Sequence, residues 1–463
     1  MYFEQFYLNC LAHASYLIGS GGEAAVIDPQ RDVDLYLEVA AEQGLKIRHV
    51  FETHLHADFV SGHKELAART GAKIYIGAEA HAQFPHVPLR DGSEVEFGLV
   101  RIRVLTTPGH TPESVCFVVT DIEKSSDPWA VLTGDTLFIG DVGRPDLSPT
   151  HTPEELAAQL YDSLHQKLMR LPDATLVYPA HGAGSLCGRS MRAEKSSTIA
   201  TERLTNYALQ ISSRDEFVRQ LTSNLPARPG YFAQDAEINR SGAEPLHDRP
   251  PLPELTPADV QGLLRAKANV LDVRPPEQFA AGHVPGSISI ALSGQFASWA
   301  GTILGLKSQP ALVGETDAQV EEASLRLARV GIEDVRGYLA GGIAAWQKAG
   351  LPLATTQQIS VQELEQESRK SGTRILDVRR PGEWEAGHIA AAAHHALDDF
   401  PRQLPDLAAS QPVAVHCKSG YRSMIACSLL ERAGYRDVIN VVGGFDAWQA
   451  AKLPETSGRL VRV

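Results

Sequence analysis

Cysteine is scarce in this chain. Five are scattered through 463 residues, at Cys10, Cys116, Cys187, Cys417 and Cys427, and none forms a CxxC pair. An odd set with that spacing excludes a disulfide scaffold and a cysteine-built zinc site, and fits a reducing cytoplasm in which a thiol stays free to react. Long apolar runs are also missing, since no stretch approaches the ~18 residues that a membrane span needs. Positive charge is in deficit: 43 Lys and Arg stand against 56 Asp and Glu, a net charge of −13, so the overall field repels a phosphate backbone and argues against nucleic acid as a partner. The opening MYFEQFYLNC lacks the basic and apolar regions of a secretory signal.

The length exceeds one ordinary domain and suggests about three. Over the first 180 residues, short apolar runs (AAVID, HVFET, KIYIG, RIRVL, SVCFVV, AVLTG, TLVYP) read as strands. Helical segments such as DLYLEVAAEQG and HKELAARTG lie between some of them, each ending at a glycine suited to a helix C-terminus. The class is α/β. A proline-rich stretch from Asn224 to Pro257, with seven prolines, marks a connector. Beyond it the chain repeats: NVLDVRPPEQFAAGHVPGS returns as RILDVRRPGEWEAGHIAAA, and YLAGGIAAWQKAGLPL as NVVGGFDAWQAAKLP. Two related domains with small parallel α/β sheets are expected. The boundaries are 1–235, a linker at 236–256, 257–354 and 358–463.

Residues able to bind a metal recur at strand ends. His54, His56 and Asp58 follow HVFE, His110 follows RIRVLTTPG, Asp135 follows AVLTG and His181 follows TLVYPA. Imidazoles and carboxylates gathered at one sheet edge need a cation or extensive pairing. These motifs resemble those of the metallo-β-lactamase superfamily, whose first signature is THxHxDH and whose later ligands stand in PGHT, TGD and PAHG. The resemblance covers roughly residues 1–235 and implies an αββα sandwich with metal at one edge. Phe59 occupies the place of the signature's last histidine, and a phenyl ring cannot ligate, so a mononuclear centre is expected. Similarity to the superfamily's persulfide dioxygenases implies one Fe(II) per chain held by His54, His110 and Asp135. That set, two histidines and a carboxylate, leaves coordination positions for substrate and O₂. His56, Asp58 and His181 would then orient ligands or hold water. A zinc thioester hydrolase of the glyoxalase II kind is the competing implication. Arg144 and Asp146, in GDVGRPDL, could form an ion pair beneath the metal loops. Cys187, in GSLCG, could face the metal cavity and handle sulfane sulfur; Cys10, Cys116 and Cys427 are expected in the core.

In the last repeat, the strand PVAVH runs into Cys417, then KSGYRS and a helical stretch. A thiol on a loop entering a helix sits among inward-pointing N–H groups, with Lys418 and Arg422 adding positive charge, a setting that favours thiolate chemistry. The loop CKSGYR, with LDVR, GHI and GGFDAW around it, resembles the rhodanese sulfurtransferases. That resemblance implies that Cys417 carries sulfur as a persulfide while Lys418 and Arg422 attract an anionic donor such as thiosulfate. Aligning Pro310 with Pro412 sets Glu315 opposite Cys417, so the earlier copy is expected to be non-catalytic, a scaffold or interface. Together these features imply a bacterial-type fusion of a persulfide dioxygenase with two rhodanese-like domains, the first degenerate. Its expected partners are a glutathione- or coenzyme A-type persulfide, O₂, and thiosulfate or sulfite; a non-catalytic sulfane-sulfur binder and a homo-oligomer stay open.

Overall fold

A computed structural model describes residues 1–223, 225, 227–368 and 372–458. Asn224, where the predicted connector begins, and residues 459–463, the end of the last predicted domain, lie outside the described residues. The chain forms two compact units, residues 1–249 with 328–331, and residues 250–327 with 332–463.

The first unit contains two six-stranded sheets. One runs in the order Tyr2–Leu8, His13–Ser20, Glu23–Ile27, Lys46–Phe51, Lys73–Gly77, Val87–Leu89; the other in the order Ser197–Thr198, Leu176–Pro179, Ala130–Gly134, Val115–Asp121, Val100–Thr106, Glu94–Phe97. All seven strands expected from the apolar runs are present. Their side chains alternate between two cores, as a strand's two-residue period requires. Val115, Phe117 and Val119 pack inward with Phe51, Ile27 and Tyr16 of the other sheet. Cys116 and Val118 point outward against Leu160 and Leu164 of helix Pro153–Gln166. Leu17, Ala24 and Val26 meet Tyr36 and Ala40 of helix Asp34–Glu42 in the same way on the outer side of the first sheet. The layers are therefore helix, sheet, sheet, helix. Helix Pro153–Gln166 starts where its sequence dictates: Thr152 and Glu155 form a reciprocal capping box and Pro153 needs no N–H partner.

Inside the proline-rich stretch lies a helix, Phe232–Ser241, that the pattern of apolar residues did not announce. Its buried Asn239 donates to the carbonyls of His56 and Phe59, both at 2.7 Å, and accepts from the Ser61 N–H at 2.8 Å. Three backbone groups of the histidine loop would lose their partner in Asn239→Ala. Leaving such groups buried and unpaired costs about 2–4 kcal/mol, and the melting temperature of the first unit should fall by roughly 5–10 °C in calorimetry. An unshifted transition would mean that the loop holds its shape without the helix.

The second unit contains two five-stranded parallel sheets of identical strand order. The first is Glu254–Leu255, Gly337–Leu339, Ala311–Val313, Val270–Asp272, Ile288–Ser289; the second is Gln357–Ile359, Val438–Val441, Val413–His416, Arg374–Asp377, Ala392–His394. The repeated Asp-Val-Arg is a structural device in both. Arg274 Nη2 bonds Asp272 at 2.6 Å and the Gly282 carbonyl at 2.8 Å; Arg379 Nη2 bonds Asp377 at 2.6 Å and the Gly387 carbonyl at 2.7 Å. A buried guanidinium is tolerated there because its carboxylate and a carbonyl are both within reach.

The register corrects the alignment of the two copies. Asp272 pairs with Val313 and Asp377 with His416, so Gly314 holds the place of Cys417 and Glu315 that of Lys418. A second contact agrees: a side chain on Gly342 would strike the Gly314 carbonyl, as one on Gly444 would strike the Cys417 carbonyl. Pro310 is followed by a three-residue strand, Ala311–Val313, and Pro412 by a four-residue one, Val413–His416. That one-residue difference misleads an alignment anchored on prolines.

Candidate metal centre and candidate sulfur-transfer site

His54, His110 and Asp135 converge in the first unit, all buried. Asp135 Oδ2 lies 3.8 Å from His54 Nε2 and 3.4 Å from His110 Nε2, and it has no hydrogen-bond partner. The opposite edge of each imidazole is already committed. His110 Nδ1 is 2.9 Å from the Arg144 carbonyl, which can only accept, so Nδ1 carries the proton and Nε2 presents a lone pair. His54 Nδ1 is 2.9 Å from Thr53 Oγ1, whose own proton goes to Asp28 Oδ2 at 2.9 Å, so His54 is fixed in the same tautomer. Burial, reinforced for His54 by neighbouring His56, keeps both rings below the usual imidazole range and therefore neutral. Burial pushes the Asp135 carboxyl up, but His181, His54 and His110 outweigh it and hold it well below the usual range. Two neutral nitrogens and one carboxylate, with an orphaned buried oxygen between them, fit a divalent cation.

Backbone geometry makes this convergence possible. Gly134, immediately before Asp135, sits at φ +52°, and a Cβ there would lie 2.6 Å from Thr53 Oγ1, so only glycine lets the strand end turn against the histidine loop.

The other residues of the motif form a second, adjoining group: His56, Asp58 and His181 also bring ligand-type atoms within 4.8 Å of one another, all buried. His56 Nε2 lies 3.1 Å from Asp28 and 3.6 Å from Glu52. His181 bridges two carboxylates, Asp135 at 2.7 Å and Asp58 at 3.0 Å; burial disfavours its charge, yet these two raise it well above the usual range. Phe59 is buried with its ring against His13 and His56, centroids 4.0 and 4.4 Å away. Its ring offers that second group no ligand atom. His13, buried at the head of strand His13–Ser20, is a participant in this cluster that sequence reasoning missed; it belongs to no motif, and only the pairing of its backbone with His181 brings it there. Arg144 and Asp146 form a two-bond ion pair at 2.7 and 2.9 Å. Cys187 Sγ groups with Asp135 and His181; burial, then Asp58 and Asp135, push its thiol well up, so it stays protonated. A cavity of about 430 Å³, lined by Leu55, Ala57, His81, Thr111, His151 and Arg240, adjoins the loops that carry these residues.

In the second unit, Cys417 is buried at the end of strand Val413–His416, and the Gly420 N–H donates to its Sγ at 3.1 Å. The repeated Gly-Gly explains itself here. Gly444, at φ +55°, starts helix Gly444–Ala450, and the N–H groups of Phe445 and Asp446 hold the carbonyls of Cys417 and Lys418 at 2.8 and 2.9 Å. The two cations expected to meet an anionic donor differ. Lys418 is exposed, whereas Arg422 is clamped to Glu383 by two bonds of 2.6 and 2.7 Å, so much of its charge is already balanced. The earlier copy has Gln278 at the position of Glu383, as well as glycine at that of Cys417.

Comparison with known proteins agrees with this geometry. Residues 8–181 match the metallo-beta-lactamase superfamily, and residues 256–349 and 360–451 each match the rhodanese-like domain. A solved metallo-beta-lactamase structure from Staphylococcus aureus subsp. aureus COL shares 34% identity and a TM-score of 0.66, covering 73% of this chain and 98% of that one. The chain belongs to the metallo-β-lactamase superfamily and continues into two rhodanese-like domains. More narrowly, its first unit is homologous to persulfide dioxygenases: the mitochondrial persulfide dioxygenase ETHE1 of Bos taurus is 34% identical over 222 residues, 46% of this chain and 77% of the relative. A hydroxyacylglutathione hydrolase of Francisella tularensis subsp. novicida is 34% identical over 174 residues, 37% of this chain and 64% of that protein. These relationships place the chain in sulfur metabolism and imply a metal site in the first unit. Among the described residues, no helix is long and apolar enough to cross a membrane.

Proposed function

We propose that the first unit oxidises a low-molecular-weight thiol persulfide with O₂, R-SSH + O₂ + H₂O giving R-SH, sulfite and two protons, at one Fe(II) held by His54, His110 and Asp135. The observation that carries this reading is the unpartnered Asp135 oxygen facing two imidazole nitrogens whose other edges are spoken for. Fe(II) bound there supplies open positions at which a sulfur anion and dioxygen meet. The chain's own residues do the rest. Thr53 and the Arg144 carbonyl fix the two rings, His181 holds the second oxygen of Asp135 at 2.7 Å, and Phe59 adds no ligand atom to the neighbouring group of His56, Asp58 and His181. The adjoining cavity of about 430 Å³ is the place where the low-molecular-weight thiol, of glutathione or coenzyme A type, would enter.

In the second unit, Cys417 takes the outer sulfur of thiosulfate: the thiolate attacks, the S–S bond of the donor breaks, sulfite leaves with the bonding pair, and a cysteine persulfide remains. Lys418 supplies exposed positive charge to the anion, and Arg422 with Glu383 braces the loop. Sulfite is common to both reactions, so the fusion keeps product and acceptor at high local concentration. Cys187, a protonated thiol beside Asp135, is a candidate hydrogen-bond donor to the persulfide. The cell compartment that suits free thiols is the cytoplasm.

The competing reading, a zinc thioester hydrolase, has the hydroxyacylglutathione hydrolase relative in its favour and Phe59 against it. An oxygen electrode separates the two. The iron-loaded chain should consume O₂ only when glutathione persulfide is added and release an equal amount of sulfite, free or as thiosulfate. No uptake, with turnover of a glutathione thioester by the zinc form, would overturn the proposal.

A further inference from the structure

The degenerate copy does more than extend the chain, and the helix that follows Cys417 shows how. Helix Tyr421–Arg432 lies against the first rhodanese-like sheet and is fastened to it near both ends. At its start, the Tyr421 hydroxyl donates to the Ala291 carbonyl at 2.8 Å. Toward its end, Ser428 Oγ accepts from the Ser289 N–H at 3.0 Å, His283 Nε2 stands 3.4 Å from Glu431, and Arg432 donates to the carbonyls of Gly286, Lys267 and Ala268 at 3.1–3.2 Å. Gly294, at φ +71°, faces the Tyr421 ring at a distance of ordinary van der Waals packing.

What makes the first of these contacts chemical is its position in the loop. Tyr421 directly follows Gly420, whose N–H is the donor to Cys417 Sγ, and Gly420 itself sits at φ +107°, a conformation with little intrinsic restraint for glycine. Gly420 has no side chain with which to hold that N–H in line. The next residue can, if it is anchored. Burial pushes the Tyr421 hydroxyl well up, so it remains a proton donor to Ala291.

We propose that Tyr421 is a positioning residue for sulfur transfer: by hydrogen-bonding the Ala291 carbonyl of the degenerate copy, it fixes the Gly420 N–H on the Cys417 sulfur. The non-catalytic copy is then part of the sulfur-transfer site, and its loss of a nucleophile at Gly314 is compatible with its retention. This rests on the reading of Cys417 as the sulfur carrier.

Tyr421→Phe in the full chain removes only the hydroxyl. Expected is a drop of about five-fold, the worth of one ordinary hydrogen bond, in the single-turnover rate of Cys417 sulfuration at saturating thiosulfate. The half-saturating concentration should stay put, because Lys418 is untouched. A contact that merely stabilised the fold would lower the melting temperature and leave the saturating rate alone. The parallel readout, alkylation of Cys417 by iodoacetamide followed on the tryptic peptide, needs no sulfur-transfer activity and should slow by a similar factor. Unchanged alkylation and sulfuration in Tyr421→Phe would overturn the proposal. A wild-type chain that alkylates at Cys417 yet takes no sulfur from thiosulfate would count against the sulfurtransferase reading instead, with the tether still judged by alkylation.

Discussion

Asp135→Asn in the iron-reconstituted chain should abolish persulfide-dependent oxygen uptake, by about a thousandfold or more, while thiosulfate-to-cyanide sulfur transfer continues. The size follows from charge. Asp135 is the one carboxylate of the proposed ligand set, and a unit charge about 4 Å from a cation in a site of effective dielectric near 20 is worth about 4 kcal/mol per charge, roughly three powers of ten in affinity or rate. The amide also reverses polarity at one oxygen. Either its NH₂ meets the lone pairs of His54 and His110, or it meets His181, which is 2.7 Å from the other carboxylate oxygen. Iron content after gel filtration and oxygen uptake should fall together. Uptake at wild-type rate with iron still bound would remove Asp135 from the ligand set, and with it the centre proposed here.

Much of this site was legible because its signals are local. His54, His56 and Asp58 stand within five residues of one another, and His110, Asp135 and His181 each follow a readable strand, so the sequence announces both residue type and placement. The layered fold was legible for a related reason: strands such as Val115–Asp121 alternate between two apolar surfaces. Contacts between distant segments were not legible. Strand Tyr2–Leu8 is half-buried along its whole length, with no clean alternation to expose it. Asn239 sits among prolines and polar residues, yet it caps a loop about 180 positions earlier. Glu383 pairs with Arg422 from 39 residues away, a partner for the expected anion-binding guanidinium that no local pattern announces. The offset of one residue between Glu315 and Gly314 could be resolved only by sheet register, because side-chain pattern alone does not say that the strand after Pro310 is one residue shorter than that after Pro412.

Cys417→Ser should reduce thiosulfate-to-cyanide transfer by at least about a thousandfold and leave oxygen uptake near the wild-type rate. The substitution is nearly isosteric, and the Gly420 N–H that now donates to sulfur can donate to a hydroxyl oxygen, so the loop, still held by the N–H groups of Phe445 and Asp446, should keep its shape. What is lost is nucleophilicity: a hydroxyl without an adjacent base is not ionised near neutral pH and cannot open the S–S bond of thiosulfate. Among the described residues, His416 is the nearest imidazole in sequence, but its Nδ1 is turned to the Cys417 carbonyl at 3.3 Å and its Nε2 to Asp377 at 3.6 Å, and burial lowers it from the usual range, so it offers the serine no assistance. The same variant also separates two ways in which the units can work together. If sulfite made in the first unit leaves as thiosulfate by way of Cys417, the serine variant fed glutathione persulfide and O₂ should accumulate sulfite and yield no enzymatic excess of thiosulfate. If thiosulfate instead supplies persulfide to the first unit, the variant should lose oxygen uptake with thiosulfate plus thiol while keeping it with persulfide added directly. Equal loss of uptake and transfer under all three conditions would mean that one thiol serves both reactions, and the division into two sites would have to be given up.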